Sequence, residues 1–318
     1  MSERARDATT AASDRDSLTV AAVPGIGRSY AVHLGLLSLM WGSSYLFIKI
    51  GVETLPPLSV ATLRIAIGLA ILAVAVAVTR TPLPRDARTL GHLAVLGVVN
   101  VAIPFGLIGW AEQRIDSGLA GMLQASSPIF TLVIAGTFLQ DERITAVRLT
   151  GVVVGFAGIV VLSGSNLVEL GSGAGQERVL GNLAIVASSL CYAIGNVYAR
   201  RNLRQARPLV LATGQVSAGL VVLLALALVV DGGVVMPAVP GAAVSVLWLG
   251  VVGTGFAYMV FFRILTRWGA TRSSLVAYLL PVVAVILGII VLGETIDASF
   301  LAGAALTLAG IWIANRRS

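Results

Sequence analysis

One basic side chain lies deep inside an apolar stretch of this sequence. Arg64 stands about eight residues, hence roughly 12 Å at 1.5 Å per residue, inside a segment predicted as a membrane helix over 56–79. A guanidinium in such a place can hold a carboxylate or a phosphate through two parallel hydrogen bonds. It can equally brace the fold by binding helix-end carbonyls or an acidic side chain such as Glu112. The sequence is consistent with both roles.

Other polar and aromatic residues recur inside apolar segments, and because such side chains avoid lipid we expect them to face the interior of a helix bundle. The candidates for lining a substrate cavity are Trp41, Ser43, Ser44, Tyr45, Arg64, Asn100, Gln124, Ser127, Tyr192, Asn196, Gln215, Tyr258 and Tyr278. Trp41 can stack on a substrate or serve in packing. Lys49 stands nearer the helix end, where it can also snorkel to the interface. The cavity is expected to be neutral to positive, which favours small solutes bearing a carboxylate, including apolar or aromatic amino acids, over lipophilic cations.

The acidic residues are distributed differently from the polar ones. Glu53, Glu112, Asp116, Glu142 and Glu294 all fall near the ends of predicted helices. A deep acidic proton relay of the kind found in pumps is therefore not indicated. The sequence predicts either facilitative exchange or coupling through an end-located group such as Glu112.

Two prolines stand within predicted helices at equivalent positions of the two halves. Pro128 and Pro281 each remove a backbone hydrogen bond and permit a kink. They are candidate pivots for rocking one bundle against the other, and a static bend is the alternative interpretation.

The residues that enzymes use are sparse. The two histidines, His33 and His92, stand near helix ends, and no His/Asp/Glu group has metal-ligand spacing. No nucleophile has a base at a recognisable distance, and no phosphate-binding P-loop is present. We expect no enzyme activity, no metal and no cofactor. The single Cys191 excludes an intramolecular disulfide framework.

Composition places the chain in a lipid bilayer. Hydrophobic residues make up 57% of it and charged residues 12%, and the mean hydropathy is +0.93, whereas a soluble domain carries about 25% charged residues. The basic residues fall in short loops, so a nucleic-acid partner is not expected. Ten segments can each span a bilayer: 30–51, 56–79, 89–110, 117–139, 145–164, 179–200, 208–230, 241–264, 271–292 and 298–315. The predicted fold is an all-α integral membrane protein.

The second half of the chain repeats the first. Residues 57–69 align with 208–220, with six of thirteen positions identical, and the register of about 152 residues persists along the half. Five spans per copy is an odd number, so the copies have opposite orientations, the architecture expected of a secondary transporter. We predict a disordered cytoplasmic tail over 1–28, a first repeat over 30–164, a linker over 165–178 and a second repeat over 179–315.

The positive charges set the predicted orientation. With the N-terminus inside, 18 of the 22 basic residues fall in cytoplasmic segments and only Arg114 and Arg178 on the opposite face. Both termini are therefore expected in the cytoplasm and the chain in the inner or plasma membrane. A small solute and the bilayer are the expected partners, and the sequence indicates no oligomeric state.

Several short motifs resemble a known family. The segment 41–49, WGSSYLFIK, resembles the first-helix signature of the EamA branch of the drug/metabolite transporter superfamily. The further similarities are LRI at 63–65, Pro281 followed by GET at 293–295, and Pro128 followed by Asp141-Glu142. The resemblance implies a ten-helix inner-membrane permease with two EamA domains, often an exporter of amino acids, metabolites or drugs.

The second repeat departs from the first-helix pattern. YAIGN at 192–196 replaces WGSSY at 41–45, and Arg200 replaces Lys49. The substrate therefore stays open, and a multidrug or cation efflux permease is the main alternative. An intramembrane enzyme is disfavoured by the sparse catalytic residue types, and a channel or purely structural membrane protein is disfavoured by the inverted repeat.

Overall fold

A computed structural model describes residues 27–139, 145–164, 172–273 and 275–314, apart from the side chains of 270 and 271. Most of the predicted tail, Asp141, Glu142 and half of the predicted linker lie outside these ranges.

Throughout the described ranges the structure is helical, without strands. The helices are α1 Arg28–Val52, α2 Pro57–Thr79, α3 Ala87–Glu112, α4 Ser117–Phe138, α5 Ala146–Leu162, α6 Gly173–Asn202, α7 Pro208–Val230, α8 Pro240–Trp268, α9 Val276–Leu292 and α10 Ala298–Ala314. A one-turn helix, Ala270–Ser273, precedes α9. The prediction of an all-helical chain is confirmed.

Seven of these helices, α1–α4 and α6–α8, are long and apolar enough to cross a membrane by length and composition. The other three have 17 residues each, about 26 Å at 1.5 Å per residue. A hydrocarbon core is about 30 Å thick. Several membrane-spanning helices are therefore established, and a count of ten stays a prediction.

Local signals explain where several helices begin. Proline occupies the first turn of α2, α7 and α8, where its missing N–H costs nothing. Asp86 and Thr145 cap α3 and α5 by accepting hydrogen bonds from backbone N–H groups. Ser172 caps α6 in the same way, through the N–H of Gly175. Helix α6 consequently begins at Gly173, inside the segment predicted as a linker over 165–178.

The helices of the two repeats interleave. Helix α1 packs on α8 and α9 of the second repeat, and α6, its counterpart, packs on α3 and α4 of the first. The second helices, α2 and α7, pack on each other, as do the fifth helices, α5 and α10. Each of these contacts therefore has a partner contact with the repeats exchanged, or joins two equivalent helices.

The α5–α10 contact depends on glycine. A Cβ atom at Gly151 would collide with the backbone at Ala314, one at Gly158 with the backbone at Thr307, and one at Gly310 with Gly155. Small residues let two membrane helices approach to backbone contact. This glycine seam joins the last helix of one repeat to the last helix of the other.

Helices α3 and α8 each contain a π-helical stretch, Gly97–Ala102 and Val251–Phe256. Their positions correspond between the repeats. Each lies against the second helix of the other repeat, the first on α7 and the second on α2. Wide π turns leave main-chain carbonyls without their regular partners and are frequent at functional sites.

Candidate functional site

Arg64 lies where these elements meet. It projects from α2 and is buried, with 6% of its surface exposed. Its Nε donates a hydrogen bond to Thr254 Oγ1 at 3.0 Å, and Nη2 donates to the carbonyl of Gly253 at 3.3 Å. Both acceptors belong to the π-helical stretch of α8. The guanidinium also lies over the Phe105 ring, 4.4 Å from its centroid, in cation–π geometry. Arg64 thus links the two repeats, through neutral partners.

The equivalent contact, with the repeats exchanged, joins α7 to the π-helical stretch of α3. Gln215, which aligns with Arg64, projects from α7 and accepts a hydrogen bond at 3.3 Å from Asn100 Nδ2, in the π-helical stretch of α3. Its own amide nitrogen donates to Tyr258 Oη at 3.4 Å. The Asn100 Oδ1 atom is buried and has no hydrogen-bond partner among the described residues. Three of the predicted cavity residues are therefore in direct contact.

A second polar group joins α4 to α6. Ser188 Oγ donates to Gln124 Oε1 at 2.7 Å, and Ser189 Oγ donates to the Gln124 carbonyl at 3.4 Å. The Gln124 Nε2 donor is buried and unpartnered within the described ranges. Gln124 therefore lies at the interface of the repeats, with one hydrogen-bonding group free among the described residues.

Ser43 and Ser44 begin a third contact, between α1 and α8. Ser43 Oγ accepts a hydrogen bond at 2.9 Å from Trp248 Nε1, and the Trp248 ring stacks on Phe47 at 4.9 Å. Ser44 Oγ donates to the Met40 carbonyl at 3.1 Å. Both serines are buried; Ser43 joins α1 to α8, whereas the hydrogen bond of Ser44 lies within α1.

Aromatic rings lie around Arg64 and the polar contacts described above, which together are called the centre. Trp41 lies against Phe261 and Tyr258, with centroid distances of 5.4 and 6.4 Å. Tyr45, Tyr192 and Tyr258 are all close enough to Arg64 to interact with it electrostatically. The structure thus gathers Trp41, three tyrosines and the Arg64 charge around one region.

Asn196 continues this region along α6. Ser188, Tyr192 and Asn196 follow one another at intervals of four residues and share one face of α6. Ser188 is buried, Tyr192 partly buried and Asn196 exposed. Three exposed apolar residues of α6, Leu183, Leu190 and Ile194, fall on the opposite face by helical periodicity. The polar face therefore becomes more exposed toward the end of α6 that carries Arg200 and Arg201.

Two candidates lie apart from the centre. Tyr278 donates a hydrogen bond to the Ile311 carbonyl at 3.1 Å and packs in a cluster with α5 and α10. The Ser127 carbonyl accepts a hydrogen bond from Thr131 one turn later. Pro128 follows a break at Ala125–Ser126 that divides α4, while Pro281 stands inside a continuous α9. The two prolines are not in equivalent surroundings, and their role as pivots stays a prediction.

Lys49 binds the C-terminal end of α3. Its ammonium donates hydrogen bonds to the carbonyls of Glu112 and Ile115 at 2.7 and 2.8 Å. The Glu112 carbonyl is the last of α3 and the Ile115 carbonyl lies in the turn that follows, where a cation is favourably placed. Whether Lys49 also reaches the membrane interface there stays a prediction.

Glu294 performs the complementary task at the start of α4. Its carboxylate accepts hydrogen bonds from Ser117 N and Ser117 Oγ at 2.7 Å and from Gly118 N at 2.9 Å. An anion at a helix N-terminus is favourable. The loop before α10 is thereby fastened to the first repeat.

Sequence reasoning missed two residues of this region, since Thr254 and Trp248 were not singled out. Glu112 was expected near a helix end, as a possible partner of Arg64 or a coupling group. It is the last residue of α3, and its side chain is wholly buried. Thr254 could have been found by aligning the repeats, because it stands 154 positions after Asn100. No group of three or more potential metal ligands occurs among the described side chains.

Two surface cavities lie away from the centre. One of about 650 Å³ is lined by the loops that follow α2 and α6, including Arg201, Arg204 and Arg207. The other, of about 410 Å³, is lined by Arg114, Glu177 and neighbouring residues at the opposite end of α6. Neither contains a candidate residue.

Known proteins resemble the chain along most of its length. The model of the EamA-like transporter family matches residues 29–164 and 179–316. The uncharacterized inner membrane transporter YedA of Escherichia coli K12 is 31% identical over 263 residues, covering 82% of each chain. The probable terminal-alkyne amino-acid exporter of Streptantibioticus cattleyicolor is 26% identical over 286 residues, covering 90% of this chain and 93% of that protein.

A solved crystal structure shows a similar fold. It covers 91% of this chain and 98% of its own, with a TM-score of 0.63 and 22% sequence identity. The family match spans both halves of the chain, and the relatives named above are transporters. The chain therefore belongs to the EamA-like transporter family of the drug/metabolite transporter superfamily and is a membrane transporter.

Proposed function

We propose that this transporter exports small solutes that carry a carboxylate, with amino acids as the leading class, by alternating access between two inverted repeats. We further propose that the protein lies in the inner or plasma membrane, spans it ten times and has both termini in the cytoplasm. The supporting features are the 18 to 2 distribution of basic residues and the reciprocal helix contacts between the repeats. A relative described as a probable amino-acid exporter points the same way.

The observation that carries the proposal is the bonding of Arg64. A guanidinium has five N–H donors, and two of them bind Thr254 and Gly253. Both acceptors are neutral, so the buried positive charge is not neutralised by a hydrogen-bonded carboxylate. A carboxylate on the substrate would neutralise this positive charge by accepting hydrogen bonds from the remaining N–H donors of Arg64. Arg64 can therefore brace the repeats and bind cargo.

The amides nearby fit the other end of an amino acid. Asn100 Oδ1 is an unpartnered buried acceptor, and Gln124 Nε2 is an unpartnered buried donor. An α-ammonium group would satisfy Asn100, while Tyr45, Tyr192 and Tyr258 offer ring surface to an apolar side chain. A lipophilic cation would instead meet Arg64 with like charge, which disfavours the multidrug alternative.

Counterflow in proteoliposomes tests the proposal. Proteoliposomes that contain the purified protein and are loaded with unlabelled L-phenylalanine should take up labelled L-phenylalanine from outside in exchange. Ethidium should not compete with this uptake. Arg64→Gln should lower kcat/KM about 10- to 100-fold, the effect of losing a charged hydrogen bond worth about 1.5–3 kcal/mol. Arg201→Gln, which removes an exposed arginine, is the matched control.

Two results would contradict the proposal. One is transport of ethidium without transport of any amino acid, with Arg64→Gln fully active. The other is conductance that does not saturate with substrate, which indicates a channel. Thr254→Val keeps the positive charge of Arg64 but removes one of its hydrogen-bond acceptors. It is the variant to measure if Arg64→Gln does not fold.

A further inference from the structure

Glu112 is a buried acid whose carboxylate makes no hydrogen bond to the described residues in this conformation. The side chain is 0% exposed, and neither Oε1 nor Oε2 has a hydrogen-bond partner among the described residues. Lys49 is adjacent, but its two hydrogen bonds go to main-chain carbonyls, that of Glu112 itself and that of Ile115. The carboxylate is thus left without a donor in a region that excludes water.

The charges that face Glu112 come from several elements. Helix α1 brings Lys49 and Tyr45, α2 brings Arg64, and the loop before α10 brings Glu294. The turn between α3 and α4 carries Asp116, which interacts electrostatically with Glu294 and Lys49. The start of α6, a helix that packs on α3, carries Glu177, which is paired with Arg114, and Arg178, which acts on Asp116.

These surroundings suit a neutral acid. A buried carboxylate that accepts no hydrogen bond is far more costly when ionised than when it carries a proton. Lys49 and Arg64 attract the ionised form, but Glu294 opposes it, and neither cation is hydrogen-bonded to the carboxylate.

We propose that Glu112 binds and releases the proton that drives transport. The inference rests on the proposed transport function and deepens it by naming the coupling site. A proton fits better than a metal ion, because Lys49 and Arg64 flank the site and no group of potential metal ligands surrounds it in the part of the chain described. The step is a proton transfer from one aqueous face to the carboxylate and later from the carboxylate to the other face.

Lys49 provides the link to conformational change. It belongs to α1, which packs on α8 and α9 of the second repeat, whereas Glu112 belongs to α3 of the first. A shift of α1 relative to α3 would move the ammonium from the carbonyls to the carboxylate, which then releases its proton. Proton occupancy is thereby tied to the packing between the repeats.

Transport driven by a pH gradient tests the inference. In proteoliposomes an imposed gradient should stimulate uptake of labelled L-phenylalanine several-fold, both in the unchanged protein and in Glu53→Gln, which neutralises an exposed acid. Glu112→Gln should retain exchange of L-phenylalanine but lose the stimulation. A Glu112→Gln variant that is stimulated as strongly as the unchanged protein would overturn the proposal.

Infrared spectroscopy gives a second readout that needs no substrate. At neutral pH the protein should show a carboxylic-acid C=O band that moves when all glutamates carry ¹³C in the side-chain carboxyl. The band should persist in Glu53→Gln and vanish in Glu112→Gln. Absence of a glutamic-acid band in the unchanged protein would refute protonation of Glu112, even if Glu112→Gln does not fold. If L-phenylalanine is not transported at all, the proposed function fails while the band still decides the protonation of Glu112.

Discussion

Arg64 and Gln215 occupy equivalent positions in the two repeats, and each binds the π-helical stretch of the opposite repeat. Arg64 reaches Thr254 in α8, and Gln215 reaches Asn100 in α3. Duplication has preserved the contact, while only one copy carries a charge. The interface is thus symmetric in geometry and asymmetric in electrostatics, an arrangement that suits the proposed binding of one anionic group.

Removal of the Thr254 hydroxyl should weaken the fold. In Thr254→Val the buried Nε of Arg64 loses its acceptor, and an unsatisfied buried donor costs about 1–3 kcal/mol. We expect a lower midpoint in thermal denaturation of the detergent-purified protein. Thr266→Val, which removes an exposed hydroxyl bonded only within its own helix, is the control. Equal midpoints for the two variants would show that the Arg64–Thr254 bond contributes nothing.

Glu294 should stabilise the contact between the α9–α10 loop and α4. Glu294→Gln removes the charge at the α4 N-terminus and turns one acceptor into a donor facing Gly118 N. Loss of a helix cap costs about 0.5–2 kcal/mol. Hydrogen exchange at Ser117 and Gly118 should become faster, with Glu53→Gln as the control at an exposed helix end. Unchanged exchange at both amides would contradict this assignment.

The glycine seam between α5 and α10 should not tolerate a methyl group. A Cβ at Gly310 would collide with backbone atoms of Gly155 and with the Gly151 carbonyl. Overpacking of this kind costs about 1–3 kcal/mol or more, so Gly310→Ala should lower the yield of folded protein in size-exclusion chromatography. Gly91→Ala, where a Cβ meets nothing within 4 Å, should have no such effect. Normal yields of Gly310→Ala would show that the helices can separate at no cost.

Asp116 and Asp86 should respond to pH in opposite directions. Burial and the Glu294 charge raise the pKa of Asp116, whereas the hydrogen bond from Thr89 N lowers the pKa of Asp86. Below its raised folded pKa, Asp116 binds a proton that the unfolded chain does not yet bind, so it favours folding as pH falls. Asp86 favours folding above its ordinary pKa and loses that contribution as pH falls through its lowered value.

The two substitutions should therefore have opposite effects at neutral pH. Asp116→Asn should raise the thermal midpoint and flatten its rise on mild acidification. Asp86→Ala should lower the midpoint. Midpoints of both variants measured between mildly acidic and neutral pH check this, and a shift of the same sign for both would contradict the assignment.

The sequence predicted the helical architecture well because its strongest signals are long-range and redundant. Apolar runs of membrane length recur along the chain, and the repeat register of about 152 residues links segments such as 57–69 and 208–220. The start of α6 was missed because the segment before residue 179 is rich in glycine, and the Ser172 cap that allows a helix there is a local detail.

Side-chain partners were harder to predict. Arg64 was recognised as buried, but its acceptors lie 189 and 190 positions away in the chain, and only the packing of α2 on α8 selects them. The burial of Glu112 was not predicted. A place near a helix end does not decide exposure, because exposure depends on how other helices, such as α6, pack on α3 in three dimensions.

The glycine seam sets the order in which the molecule can be completed. A chain is made from its N-terminus, so α5 is made well before α10. Until α10 is made, the backbone at Gly151 and Gly158 lacks the neighbours that it has in the folded protein, at Ala314 and Thr307. Helix α10 is thus the element that completes the packing of α5, so the first repeat is not finished before the last helix of the second repeat has been made.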